Sequence, residues 1–324
     1  MFRLLLAMAV VAALGLSSQA APAAQKHAVR KTPARVVIPC GSGASLSLTS
    51  TTASQGSLLL VDLSIDAPLQ SVHAKWGTEE ISFWQKATPA SAVSKTQHWR
   101  TLVAVDLDKP VGDYPVDVST KPTAEPAAEA PAEAPAACQL TVHVIAGKFA
   151  TENLHVDNKF VEPDPEQAAR AKAEQQKLGE IYATVSPQKL WQGRFRIPLD
   201  GVTKGANFGR RRVLNGKPGS PHGGVDLPAT TGTPVHASQT GRVVLAEPLF
   251  FAGNTVIIDH GLGIYTLYCH LSEIGAKVGD KIAVGAVLGK VGATGRVTGP
   301  HLHWGLSVDR SRVNALQIVT FAQL

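Results

Sequence analysis

The stretch Tyr265-Thr-Leu-Tyr-Cys-His-Leu271 is largely apolar, and that character marks it as a β-strand. Side chains on a strand alternate between faces, so His270 is expected to share a face with Tyr268 and Thr266. A histidine so placed is either a satisfied core residue or a functional one, and composition does not choose between them. Around this strand, from Pro198 onward, short runs of Val, Ile and Leu are punctuated by Gly241, Gly253, Gly261, Gly279, Gly285, Gly289, Gly292 and Gly295. Frequent glycines between short apolar runs predict tight turns and an antiparallel sheet over residues 195–324.

Two short motifs flank that strand. The first is His222-Gly-Gly-Val-Asp226. Residues four apart on an extended strand point the same way, so His222 and Asp226 can converge if the stretch is a strand or a strand edge. Imidazole nitrogen and carboxylate oxygen are both good zinc ligands, although this spacing alone is weakly specific. The second motif is His301-Leu-His303, preceded by Thr298-Gly-Pro300 and followed by Trp304-Gly305. On a strand His301 and His303 share a face while Leu302 and Trp304 point into the core. Two imidazoles on one strand face are hard to explain as packing, which favours metal binding or catalysis. His236 and His260 have no second polar partner at ligand spacing and read as structural.

Upstream, the chain changes texture. Val36 to Ile145 contains Ser45-Leu-Ser-Leu-Thr49, Ser57-Leu-Leu-Leu-Val-Asp-Leu63 and Thr101-Leu-Val-Ala-Val-Asp-Leu107, short segments that predict a small β-sandwich over 36–150. Lys121 to Ala137 is a Pro/Ala/Glu insert unable to form a packed core, expected as a solvated loop. Residues 151–194 read as a helical linker: Asp164 is the expected N-cap, Pro165 the first helical residue, and the helix runs through Glu166 to Tyr182. The fold class is therefore mainly β: an N-terminal sandwich, a linking helix and a C-terminal antiparallel sheet. With 324 residues, two domains plus connections are expected.

The start carries Arg3, an apolar run from Leu4 to Leu16 and the small-residue end Ser18-Gln19-Ala20, the layout of a signal peptide cleaved after Ala20. That run is shorter than the roughly 20 residues of a membrane span, so no span is expected in the mature chain. Ala21 to Arg35 reads as a disordered tether. Export to the periplasm or the exterior follows as the expectation. It also permits one disulfide, with Cys40 and Cys138 the candidate pair and Cys269 a small buried residue on its strand. The formal charge of +6 is modest and the basic residues are scattered, which excludes the footprint of a nucleic-acid binder.

Taken together and in order, these elements resemble the lysostaphin and LytM family of zinc metallo-endopeptidases. The resemblance starts near Phe195 and includes Phe208-Gly-Arg210, Ser220-Pro-His-Gly-Gly-Val-Asp226, Ile258-Asp-His-Gly261, Tyr268-Cys-His-Leu271, Gly292-Ala-Thr-Gly295 and Gly299-Pro-His-Leu-His303. The sandwich and the region through Trp191 are similar to the accessory module of some exported members. The resemblance implies one zinc ion per chain held by His222, Asp226 and His303, with His301 and His270 assisting catalysis. Three protein ligands leave a fourth position for water, as a catalytic zinc requires. It also implies peptidoglycan peptides as substrate and cell-envelope proteins as partners. In the family the H-x-H motif is often followed by an aromatic residue and Glu; here Trp304-Gly305 follows. Two other readings fit the same elements: a non-hydrolytic activator of cell-wall amidases, and a wall-binding or autoinhibitory role for the sandwich.

Overall fold

The computed structural model describes residues 35–41, 43–86, 95–123, 137–321 and 324. The expected leader, the tether up to residue 34 and residues 124–136 of the expected insert lie outside these. Over 36–145 the chain forms two five-stranded sheets. One is ordered β1 (Val36–Pro39), β2 (Ala44–Leu48), β4 (Leu58–Ile65), β8 (Gln97–Ala104) and β7 (Trp84–Gln85). The other is ordered β3 (Thr52–Ser54), β10 (Ala137–Ile145), β9 (Gly112–Pro122), β5 (Leu69–Trp76) and β6 (Glu79–Ser82). Lys121, Pro122 and Ala137, read from sequence as insert, are instead the ends of β9 and β10. Strand β10 alternates exposed and buried residues, the pattern of a sheet with one wet face. Strand β4 is buried almost throughout because both its faces are covered. Leu59, Val61 and Leu63 pack inside the sandwich, whereas Leu58 and Leu60 join a core shared with the C-terminal sheet. A disulfide joins Cys40 to Cys138, the expected pair.

The 151–194 stretch is not all helix. Thr151–Leu154 forms β11, which pairs in parallel with β12 (Arg211–Leu214), and β12 pairs with β13 (Lys217–Pro218). Thr-Glu-Asn-Leu carries no apolar alternation, so sequence offers no signal for this strand. Helix α1 spans Pro165–Ala183, and the Asp164 side chain accepts a hydrogen bond from the Gln167 backbone N–H at 2.8 Å, as an N-cap should. Its last turns press Leu178, Ile181 and Tyr182 onto Leu245, Ile257 and Tyr265 of the large sheet.

That sheet has nine strands. Its main path is β14 (Gly224–Pro228), β21 (His301–Val308), β18 (Ile264–Ile274), β17 (Gly253–Asp259), β16 (Gly241–Leu249) and β19 (Lys281–Ile282). Strands β15 (Pro234–His236) and β20 (Val287–Val291) extend it beside β18, and β22 (Ser311–Val313) pairs with β21. All these pairings are antiparallel. One face buries Val256, Ile258, Tyr268, Leu302, Trp304 and Leu306 in the shared core. The opposite face is covered by α1 over part of its area, and the remainder carries the histidine cluster described below.

The sandwich is fastened to this core by polar clamps. Arg312 of β22 reaches Asp106 through its backbone N–H at 2.7 Å and Nη2 at 2.9 Å, and Asp108 at 2.8 Å. The Leu58 N–H donates at 2.6 Å to Oε1 of Gln317, a residue of α2 (Ala315–Ile318), and Trp84 meets Trp191 edge-on at 5.2 Å.

Candidate active site

Strand register builds the cluster. Asp226 of β14 lies opposite His303 of β21, which in turn lies opposite Cys269 of β18. Paired residues share a face, so Asp226, His303 and Cys269 all look away from the core that holds Tyr268 and Trp304. Leu302 and Trp304 are fully buried, as the alternation predicts. His222 sits two residues before β14 rather than within it, and still converges on Asp226.

His270 departs from the expected face. Alternation would send it inward with Tyr268, but its φ of 63° is in the left-handed region, where non-glycine residues are uncommon. This turn in the backbone brings its ring to the side of the cluster, 5.0 Å from His301 and 5.8 Å from His303 between centroids. Tyr268 and Thr266 remain on the core side, hydrogen-bonded to each other at 2.9 Å. A strained backbone at a polar residue in a cleft is a common mark of function.

The donor atoms form a small triangle. His222 Nε2 is 2.7 Å from His303 Nδ1 and 3.1 Å from Asp226 Oδ1, and His303 Nδ1 is 3.2 Å from Asp226 Oδ1. Tetrahedral zinc with bonds of about 2.0 to 2.1 Å places its ligand atoms about 3.3 Å apart, close to these separations. The rings are oriented by their other nitrogens: His222 Nδ1–H donates to the Asn207 carbonyl at 2.8 Å, leaving Nε2 as a lone pair aimed inward. Two imidazole lone pairs and a carboxylate oxygen meeting at this range are the chemistry of a cation site, and His222, Asp226 and His303 are the residues that could hold a metal ion.

His301 and His270 border this triangle in the same way. His301 Nδ1–H donates to the Gly299 carbonyl at 2.9 Å, and His270 Nδ1–H to the Thr294 carbonyl at 2.8 Å. Each neutral ring therefore presents a bare Nε2. That of His301 is 3.5 Å from Asp226 Oδ1. Burial opposes protonation of His301, but the hydrogen bond and charge of Asp226 prevail and raise its pKa. Burial, with the charges of His303 and His301, pushes His270 down to about 3, and burial brings His303 to about 4. Burial works against the Asp226 carboxylate too, but hydrogen bonds from the three histidines hold it far below the ordinary carboxylate range.

His236 and His260 lie apart from the cluster, the latter buried and bonded to Thr240 O at 2.8 Å and Thr266 Oγ1 at 2.7 Å. Cys269 is buried, and burial pushes its thiol up to about 12. Sequence reasoning missed Asn207. Its carbonyl orients His222 and its side-chain amide donates to Asp226 Oδ2 at 3.2 Å. Its φ of 72° is one that asparagine tolerates better than most residues, a signal too common to single it out beforehand. Arg212 and Arg296, also unassigned from sequence, line the clefts on either side of the cluster.

Residues 220–315 match the family model described as Peptidase family M23. Peptidoglycan DD-endopeptidase ShyA of Vibrio cholerae is 44% identical over 124 residues, 38% of this chain and 29% of that protein. DD-carboxypeptidase/endopeptidase Mpg of Neisseria meningitidis is 41% identical over 97 residues, 30% of this chain and 22% of that protein. The chain thus spans less than a third of the length of these curated relatives. The crystal structure of an M23-type protein from Pseudomonas aeruginosa matches over 83% of this chain and 96% of that one, with TM-score 0.58 and 27% identity. That match is broad enough to take in the sandwich as well as the large sheet. The segment from 220 to 315, with its converging histidines and aspartate, is a domain of peptidase family M23.

Proposed function

We propose that this protein is an exported zinc metallo-endopeptidase that hydrolyses the peptide cross-links or stem peptides of bacterial peptidoglycan. The observation that carries the reading is the triangle of His222 Nε2, His303 Nδ1 and Asp226 Oδ1, whose spacing and lone-pair orientation suit one zinc ion per chain. Zinc held there would lower the pKa of water toward neutrality and polarise the scissile carbonyl. The rest of the work falls to the chain. Of the two flanking bases, His301 is the less buried and its Nε2 lies 3.5 Å from the donor oxygen of Asp226, so it takes the proton of the attacking water and passes it to the leaving amine. His270, kept neutral by burial, accepts a hydrogen bond from that water and orients it. It becomes a donor to the developing oxyanion only after gaining a proton, because Thr294 already takes its N–H.

The peptidoglycan assignment draws on the similarity to ShyA, a peptidoglycan DD-endopeptidase. The envelope location draws on the leader-like residues 1–20. The alternative of a non-hydrolytic amidase activator is disfavoured by the full set of donors and bases. The test is digestion of purified peptidoglycan by the zinc-loaded chain beside a His301→Ala control, with products identified by mass spectrometry. Cleaved cross-links or stems that are absent from the control support the enzyme. Intact peptidoglycan in both samples, with zinc bound, favours the activator.

A further inference from the structure

Two clefts flank the donor triangle. One, of about 60 Å³, is bordered by Asp226 and His301; the other, of about 180 Å³, by His222 and His303. Three residues line both: His270, Arg212 and Arg296. Resting on the function proposed above, we infer that Arg212 and Arg296 form a carboxylate clamp that selects peptides whose leaving residue bears a free carboxylate next to the scissile nitrogen.

The Arg296 guanidinium is held in place, and that of Arg212 makes one long ion pair, to Asp226. Arg296 N–H donates to the Phe251 carbonyl at 2.8 Å, and its guanidinium lies 4.7 Å above the Phe251 ring. The turn behind it needs Gly295, whose φ is +74° and whose Cβ would collide with the Gly253 backbone. Among the described residues, no side-chain hydrogen bond or ion pair reaches the Arg296 guanidinium. Arg212 is largely buried, and its Nε has no hydrogen-bond partner among the described residues. Its nearest carboxylate oxygen, Asp226 Oδ2, is 3.8 Å away, beyond hydrogen-bonding range, and accepts instead from Asn207. The other carboxylate in the cleft, Glu152 on β11, accepts from Arg210 at 3.1 Å on Oε1, while its buried Oε2 has no hydrogen-bond partner among the described residues. Burial, and after it the charge of the neighbouring Arg212, bring Arg296 down to about 10.

A buried guanidinium donor left unmatched, as Arg212 Nε is, is costly, and a carboxylate satisfies guanidinium donors with charge-assisted, often bidentate bonds. The geometry suits the substrate. In a peptide bond between two D-residues that is cut by a DD-peptidase, the leaving nitrogen is attached to a carbon that also bears a carboxyl group. That carboxyl carbon lies only about 2.5 Å from the nitrogen. A peptide seated with its scissile bond at the triangle therefore delivers this carboxylate to the cleft wall, where the two arginines stand.

The test uses the zinc-loaded chain and two synthetic stem peptides that differ only in the leaving residue, one with a free carboxylate and one with a carboxamide. The expected preference in kcat/KM for the carboxylate is about tenfold or more, from the loss of charge-assisted bonds. Arg296→Gln should bring the ratio close to one, chiefly through KM and with zinc content unchanged, and Arg296→Lys should restore part of it. Arg212→Gln should act in the same direction. If wild type cleaves both peptides equally, or if Arg296→Gln slows both in proportion and leaves the ratio intact, the clamp is wrong while the peptidase stands. Cleavage of neither peptide by the zinc-loaded wild type overturns the peptidase reading, and the clamp with it.

Discussion

Asn207 and Asp226 are joined twice: the Asn207 amide donates to Asp226 Oδ2 at 3.2 Å, and the carbonyl of the same asparagine holds His222 at 2.8 Å. One residue outside the donor triangle thereby orients two of its three corners. Supporting groups of this kind typically contribute 10- to 100-fold to metal affinity. Asn207→Ala keeps the carbonyl but loses the amide, so zinc affinity should fall by about tenfold or more while the fold persists. Competition with a chelator of known affinity measures it, and unchanged affinity would remove Asn207 from the account.

The bare Nε2 atoms of His301 and His270 separate binding from chemistry. His301→Ala should bind one zinc per chain and lose about 10²- to 10⁴-fold in kcat. His270→Ala should behave likewise with a smaller loss. Metal analysis and turnover on the same samples decide it; near wild-type turnover in His301→Ala would dismiss its role as base.

Arg312 ties the large sheet to the sandwich through Asp106 and Asp108. Burial tends to raise the Asp106 pKa, but bonds from Arg312 and the backbone outweigh it and the value is lowered. Its contribution is therefore present above pH 3.8 and fades as pH falls through the lower folded value. Because both partners are partly exposed, Asp106→Ala should cost only about 1 to 2 kcal/mol, measured by urea unfolding. No change in midpoint would mean that Asp106 adds nothing to what Asp108, Gln317 and the apolar contacts supply at this interface.

His260 provides a pH test remote from the donor triangle. It is fully buried, and burial lowers its pKa from 6.5 to about 4. Between these values the unfolded chain takes up a proton that the folded chain refuses, so stability falls as pH drops from 6.5 toward 4. The loss attributable to this residue is at most on the order of 3 kcal/mol. His260→Gln should flatten the stability profile in this window relative to wild type. Parallel profiles for the two proteins would show that His260 titrates normally.

Much of this architecture is legible in the residues. The strands around Leu59, Val103 and Val142 follow their apolar patterns, the Asp164 cap marks the start of α1, and Leu302 and Trp304 flank the outward histidines as alternation requires. What escaped has physical reasons. Strand β11 is short and polar, stabilised by its pairing with β12 and not by its own pattern. The direction of His270 depends on one left-handed backbone angle, which period-two reasoning cannot foresee. Asn207, Arg212 and Arg296 matter through tertiary contacts that only the folded chain assembles.

The most direct test of the central claim is to strip the chain of metal and add zinc back stepwise while following hydrolysis of a cross-linked peptidoglycan peptide. The account predicts no hydrolysis at zero zinc, a linear rise to a break at one zinc per chain, and no such rise in Asp226→Asn. Hydrolysis by the metal-free chain, or none at one bound zinc, would contradict it.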